Sequence, residues 1–299
     1  MALAVATTAF GSASDAASVA VTAPTGITTG DLLLIIAYRK TSINDITSSG
    51  FTKSFADIDD LAGTIQDSNI TVLYKIATSG DESATNYTVT GSTSIGFAAV
   101  VMRVTGWSVN FNPVFARGSD RVVIATSGGP FTATMASAFA RPYQQLHVIA
   151  ASAVDAEGFN GEISVDAYAV TSASSNPTWT EVCDLSNTYH TSGGDFGALA
   201  LAYATSTDTS AVTGYSVNYS EVGLADISSG YAVGFTILTS TDASGTNALV
   251  TTTTTMFSQT GTCDGNSSNV LAEATGEAFA QSGRGTSPTQ WANEAKPST

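Results

Sequence analysis

Short apolar runs bounded by turn residues dominate the early part of the chain. The strongest runs lie at residues 32–38, 70–76 and 97–104. They are rich in β-branched and aromatic residues, and each is shorter than an ordinary helix. Gly, Ser, Asp or Asn stand at their ends, as is typical of turns. The pattern predicts three buried β-strands, and weaker strands are predicted at 18–22, 51–55 and 86–90.

The same order of runs recurs later in the chain. Core strands are predicted at 146–154, 198–204 and 231–238, and weaker strands at 131–135, 178–182 and 215–219. The run LLLIIA at 32–37 aligns with LHVIAA at 146–151. Because the two halves differ mainly in the lengths of their loops, they are interpreted as an internal repeat.

This repeat predicts an all-β chain of two tandem antiparallel β-sandwich domains of jelly-roll-like type, with a C-terminal β extension. The length of 299 residues agrees, because it exceeds the roughly 100–200 residues of a usual domain. The predicted parts are an N-terminal arm (1–14), a first sandwich (15–108), a connector (109–127), a second sandwich (128–240) and the extension (241–299).

The extension has a composition of its own. Residues 247–258 are rich in Thr and other β-branched residues and could pair with 270–280, whereas 282–299 is polar. A long unpaired strand of this kind is suited to joining a neighbour's sheet. The extension is therefore predicted to be an assembly strap. Its predicted contact residues are Leu249, Val250, Met256, Phe257 and Trp291.

Composition and charge exclude several partners. Only 12% of the residues are charged, and the net charge is −15 with a pI near 4.2. No basic patch could neutralise a run of phosphates, so nucleic acid and anionic membranes are not expected as partners. The sequence contains no apolar run near the roughly 20 residues that span a bilayer.

The N-terminus and the cysteines bear on the compartment. No Lys or Arg precedes the first apolar residues, so no secretory signal is predicted, and synthesis in a cytoplasm is expected. Cys183 and Cys263 are far apart in sequence and form neither a disulfide framework nor a metal motif. Whether these two cysteines pair is left open.

The sequence lacks the common catalytic motifs. Neither a GxSxG elbow, an HExxH pair nor a phosphate-binding Gly-rich loop occurs in the sequence. His147 is interpreted as a strand residue and His190 as part of a polar loop. No catalytic residue and no cofactor is predicted. A carbohydrate-active jelly-roll enzyme is the minor alternative, because the two carboxylates of a glycosidase meet in space and not along the chain.

One acidic stretch loosely resembles a calcium loop. It contains Asp155, Glu157, Asn160 and Glu162 between glycines. The spacing to its last Glu is too short for an EF-hand, and no flanking helices are indicated. No metal site is therefore predicted, and these four residues would be the first candidates if chelation lowered the stability.

Several short motifs together resemble a β-sandwich module common in structural proteins of tailed bacteriophages. The matching motifs are Gly30-Asp31-Leu32-Leu33, Gly50-Phe51-Thr52, Tyr74-Lys75-Ile76-Ala77, Asn86-Tyr87-Thr88 and Val104-Thr105-Gly106. Phe51 stands where that module usually has Trp. The second half is similar more loosely, since Tyr143-Gln144-Gln145 replaces Gly-Asp while Trp179-Thr180 fits the aromatic position.

The resemblance implies a non-enzymatic virion protein assembled in a host cytoplasm, with other capsid or tail proteins and further copies of itself as partners. Decoration of the capsid or another outer virion surface is the leading expectation. The alternative is a host-binding tail-fibre or baseplate module, in which the loops 41–50, 155–177 and 184–194 contact a glycan or receptor.

Overall fold

A computed structural model gives the fold, and strands dominate it. Strands make up most of the described residues, which confirms the predicted all-β class. A single 3₁₀ turn, Asp81–Ser83, is the helical element of the part described. The described residues are 3–41, 43–59, 67–107, 114–124, 131–139, 145–154, 162–172, 176–190, 196–207, 212–222, 228–238, 269–272 and 278–281.

The first half of the chain, residues 3–107, forms one antiparallel sheet that bends back on itself. Its strands are β1 (Ala4–Thr22), β2 (Leu32–Arg39), β3 (Thr47–Ser48), β4 (Thr52–Asp59), β5 (Ser68–Ile76) and β6 (Asn86–Thr105). They are ordered β1-β6-β2-β5-β4, with β3 paired to β6. Register shifts between Ala13 and Ser18 mark the bend in β1.

Beyond this bend the sheet forms a second layer. Residues 18–22 of β1, residues 86–90 of β6 and strand β3 make up this outer layer, and the remaining strands make up the inner layer. The layers approach closely at Gly11, where a Cβ would lie 2.8 Å from the carbonyl oxygen of Ala20. Glycine is needed there because any side chain would collide with backbone.

The second half, residues 114–238, makes the same two layers from separate strands. These are β7 (Val114–Ile124), β8 (Phe131–Phe139), β9 (Gln145–Val154), β10 (Glu162–Ser172), β11 (Thr180–His190), β12 (Phe196–Ser206), β13 (Val212–Val222) and β14 (Ser228–Leu238). The inner sheet has the order β7-β14-β9-β12-β11, and the outer sheet has the order β8-β13-β10.

The two halves share one winding. When the bent β1 and β6 are counted as two segments each, the described part of each half contains eight segments, with the inner order 1-8-3-6-5 and the outer order 2-7-4. The first segment pairs with the last and the second with the next-to-last, which is the jelly-roll arrangement. The fifth segment is an exception to that arrangement, because it lies beside the sixth. The predicted recurrence of strand order is therefore present in the fold.

Three hydrophobic cores hold these layers together. A first core lies inside the first half and contains Leu33 and Ile35 of β2, and a second core lies inside the second half and contains Ile149 of β9. A shared core lies between the two inner sheets and contains Leu34 of β2 and Val148 of β9. Residues 1–240 consequently form one compact unit.

Several edge strands lie where arms, connectors or loops were predicted. Residues 4–14 of the predicted arm belong to β1, and the predicted connector 109–127 contains β7. The predicted loop 155–177 contains β10, and β11 continues to His190 through the predicted loop 184–194. Edge strands tolerate polar and small residues, so their apolar pattern is weak.

The C-terminal unit, residues 241–299, is described only in part. β15 (Asn269–Ala272) pairs with β16 (Ala278–Gln281), with Val270 opposite Ala280. Residues 270–280, which were predicted to pair with 247–258, thus contain parts of two strands that pair with each other. Residues 247–258 lie outside the described residues. The predicted contact residues Leu249, Val250, Met256, Phe257 and Trp291 lie outside the described residues.

Candidate functional site

Two turns of the first half have the same sequence form, Thr-x-Gly-Asp, at residues 28–31 and 78–81. In the first turn the carboxylate of Asp31 accepts hydrogen bonds from the amide and hydroxyl of Thr28, at 2.8 and 2.9 Å. Arg103 Nε donates to the same oxygen at 2.6 Å. Gly30 supplies the positive φ of 95° that this turn requires.

The second turn repeats this arrangement. Asp81 accepts from the amide and hydroxyl of Thr78, both at 2.9 Å, and from Lys75 Nζ at 2.6 Å. Burial alone would raise the pKa of Asp81, but the hydrogen bonds from Lys75 and Thr78 outweigh it and hold the pKa below its usual value. The Tyr87 hydroxyl also donates to Asp81, at 3.2 Å.

A third carboxylate joins the two turns. Glu82 accepts from the amide and hydroxyl of Thr29, both at 2.9 Å. We call Asp31, Asp81, Glu82 and their hydrogen-bond donors the acidic corner. Because each of these carboxylates is already satisfied within the protein, the corner is suited to fixing loops and poorly suited to proton transfer or metal binding.

A buried ion pair closes the other end of β2. Arg39 is fully buried, and its Nη1 lies 2.6 Å from the carboxylate of Asp45. The amide of Ser92 donates to the same carboxylate at 2.6 Å. Burial would raise the pKa of Asp45, but the hydrogen bonds from Arg39 and Ser92 hold it below its usual value. The pair ties the loop after β2 to β6.

The two histidines are in β-strands. His147 lies in β9 and is fully buried, with its Nδ1 3.1 Å from Thr236 Oγ1 and 3.4 Å from the Tyr215 hydroxyl. Its place in β9 agrees with the strand interpretation, and its Nδ1 faces the hydroxyls of two other strand residues, Thr236 and Tyr215. His190 is the last residue of β11 and not a loop residue.

An aromatic pair lies at the side of the second sandwich that is bounded by the edge strands β10 and β11, which we call its open side. The rings of Tyr168 and Trp179 are 5.9 Å apart and tilted by 31°. Asn176 orients the pair, because its Oδ1 accepts from Trp179 Nε1 at 3.1 Å and its Nδ2 donates to the Tyr168 carbonyl at 3.2 Å. Trp179 is half-buried against the second core.

Cys183 is a buried free thiol, so it is not in a disulfide with Cys263. Its sulfur donates weakly to the Leu199 carbonyl at 3.9 Å. Burial, with the nearby charge of Asp184, raises its pKa to about 12. The thiol is therefore unreactive at neutral pH.

The predicted metal candidates are not assembled in the part of the chain that the structure describes. Asp155, Glu157 and Asn160 lie outside it, and Glu162 begins β10. Across the described ranges, no three His, Cys, Asp or Glu side chains are grouped as a metal site.

Neither the acidic corner nor the Arg39–Asp45 pair was predicted from the sequence. The repeated Thr-x-Gly-Asp form was a signal for the corner. The ion pair had none, because the fold brings its partners together.

Comparisons with family models, with curated proteins and with solved structures gave no match to this chain. Within the described ranges, no helix has the length and apolar character needed to cross a membrane.

Proposed function

We propose that the chain is a non-enzymatic structural protein of a tailed-bacteriophage virion that decorates the capsid or another outer surface. The observation that carries this proposal is the acidic corner. Asp31, Lys75 and Tyr87 belong to the motifs that resemble phage structural modules, and all three hold loops together. The residues behind the resemblance thus have an architectural role, as expected in a rigid surface module.

Labelling of virions tests this proposal directly. Antibodies against the purified full chain are applied to virions from the culture that produces it, and bound gold is counted by electron microscopy. Regular labelling of the capsid shell or another outer surface is expected. Absence of the chain from purified virions by mass spectrometry would reject the proposal.

The C-terminal unit is the proposed attachment strap. Residues 241–299 form a unit separate from residues 1–240, so their removal should leave the sandwiches folded. The truncated chain is expected to keep its β-sheet circular dichroism and thermal midpoint but to lose binding to virions that lack the protein. Equal binding by truncated and full chains would assign the attachment to the sandwiches instead.

Host recognition is the second candidate, and the pair of Tyr168 and Trp179 favours it. Asn176 fixes the half-buried indole at the open side of a sandwich, and such fixed aromatics suit recognition of sugar rings or receptors. Trp179→Ala should then reduce binding of the labelled full chain to host cells by at least about tenfold, a typical hot-spot loss. Phe10→Ala, which removes an exposed aromatic on β1, is the matched control.

A further inference from the structure

The inner faces of the two halves bury equivalent positions against each other. Leu32, Leu34 and Ile36 of β2 are fully buried in the shared core. The aligned residues of β9, which are Leu146, Val148 and Ala150, are fully buried in the same core. Each half therefore presents the same apolar face to the other.

The contacts across this interface are reciprocal. β4 lies against β7, and β1 lies against β11. In the shared winding, β11 is the counterpart of β4, and the inner-layer segment of β1 is the counterpart of β7. Exchanging the two halves therefore converts the first contact into the second. Such exchange is the property of a two-fold, self-complementary interface.

A second pair of contacts behaves in the same way. Phe55 of β4 packs edge-on against Phe235 of β14, with ring centroids 5.7 Å apart. The exchanged contact, between β11 and β6, is also present. At the side of the interface, Ser152 Oγ of β9 donates to Ser68 Oγ of β5 at 3.4 Å.

We propose that the inner face of each half is a homotypic docking surface whose partner is a second copy of the same face. The chain is then a two-fold dimer of modules in which one chain supplies both copies. This inference does not depend on the virion proposal. It requires that the interface, and not the covalent link between Trp107 and Val114, holds the halves together.

Cleavage of the link tests this requirement. A protease site is inserted between residues 107 and 114 of the full chain, and the folded protein is cut. Both fragments are expected to elute together at the size of the uncut chain and to acquire a concentration-dependent melting temperature. Elution as two separate folded fragments would overturn the proposal.

Two phenylalanines provide matched variants of the cut protein. Phe55→Ala removes a ring from the shared core and should raise the dissociation constant of the fragments by about 100-fold or more. Phe51→Ala removes a ring that packs on Tyr87 within the first half, at 5.3 Å, and should leave that constant unchanged. Equal effects of the two substitutions would contradict the assignment of the interface.

A crosslink covers the case in which the inserted site prevents folding. Ser68→Cys and Ser152→Cys are combined in a chain without the protease site and also lacking both natural cysteines. Their oxygens lie 3.4 Å apart, so oxidation should form an intramolecular disulfide in the folded monomer. Failure to crosslink under mild oxidation would reject the proposed interface.

Discussion

The two halves reach one winding by different means. In the first half, β1 and β6 run continuously from the inner to the outer layer through a bend. In the second half, their counterparts are the separate strands β7 with β8 and β13 with β14. One bent strand in the first half thus corresponds to two separate strands in the second half, and the strand order is the same in both.

The cores beneath this shared winding also differ. Leu33 in the first core aligns with His147 in the second half, where Thr236 and Tyr215 provide polar partners. The ring of Tyr215 lies over Gly234, at a distance that leaves no room for a Cβ. The second core thus contains an aromatic ring packed directly over a glycine.

The largest effect is expected from Gly234→Ala. The new Cβ would lie 2.3 Å from the ring of Tyr215, which is fully buried, so either the ring or β14 must move. We expect a loss of about 3 kcal/mol or more in the free energy of unfolding, measured by urea denaturation.

Gly80→Ala is the control for this substitution. Gly80 is exposed, and the nearest atom to its added Cβ is Thr78 Oγ1 at 3.7 Å, an ordinary contact. This variant should change the stability by less than about 0.5 kcal/mol. Similar losses for both variants would mean that Gly234 does not make room for Tyr215.

Exchange of the aligned residues sharpens the comparison of cores. Leu33→His places an imidazole in the apolar first core and should cost about 2–3 kcal/mol in urea denaturation. His147→Leu should cost less than about 1.5 kcal/mol, because the hydroxyls of Thr236 and Tyr215 can still bond to each other. Equal costs would show that the polar partners in the second half do not decide which residue is tolerated.

The central strands of the sheets could be predicted from the sequence, whereas many of the edge strands could not. β2 is apolar from Leu32 to Tyr38, and β9 is largely apolar apart from Gln145, His147 and Ser152, and these runs identified both strands despite their lack of alternation. In antiparallel sheets such runs indicate burial on both faces, so the sequence also contained a signal for the shared core. β7 was missed because its central Gly118-Ser119-Asp120 is typical of a turn.

The polar sites were less accessible to prediction. The Arg39–Asp45 pair depends on a loop that folds back onto β6, and no local sequence pattern predicts that pair. Trp179 was correctly placed near a strand start, but its indole is fixed by donating a hydrogen bond to Asn176, which lies in a stretch interpreted as a loop. Both sites depend on how a loop folds, since Asn176 is three residues from Trp179 and Asp45 is six residues from Arg39.

A smaller loss of stability is expected from Gly30→Ala, because the backbone conformation at this position, and not the space around it, disfavours a side chain. Nothing lies within 4 Å of the added Cβ, but the φ of 95° disfavours any side chain. We expect a loss of about 1–2 kcal/mol by urea denaturation. Gly30→Asn should lose less, since Asn tolerates positive φ better. If the Ala variant were as stable as the wild type, the turn at residues 28–31 would not require glycine, and it would no longer count as a feature that distinguishes the first half.

The smallest effect concerns acid and the first half, where both Asp45 and Asp81 have lowered pKa values. A carboxyl with a lowered folded pKa stabilises the protein above its unfolded pKa of about 3.9, and this contribution is lost as the pH falls through the folded value. Stability should therefore fall below about pH 4. Asp81→Asn should cost up to about 1 kcal/mol near neutral pH, because its partner Lys75 remains partly exposed, and should flatten the acid dependence.

Urea denaturation of the wild type and of Asp81→Asn at about pH 7 and about pH 3 measures how strongly the stability of each protein depends on pH. Trp107, which donates to the Gly30 carbonyl at 3.1 Å, reports on the corner by fluorescence when Trp179 and Trp291 are replaced by Phe. If the Asn variant loses as much stability in acid as the wild type, the acid response originates outside the acidic corner, and the Arg39–Asp45 pair becomes the next group to test.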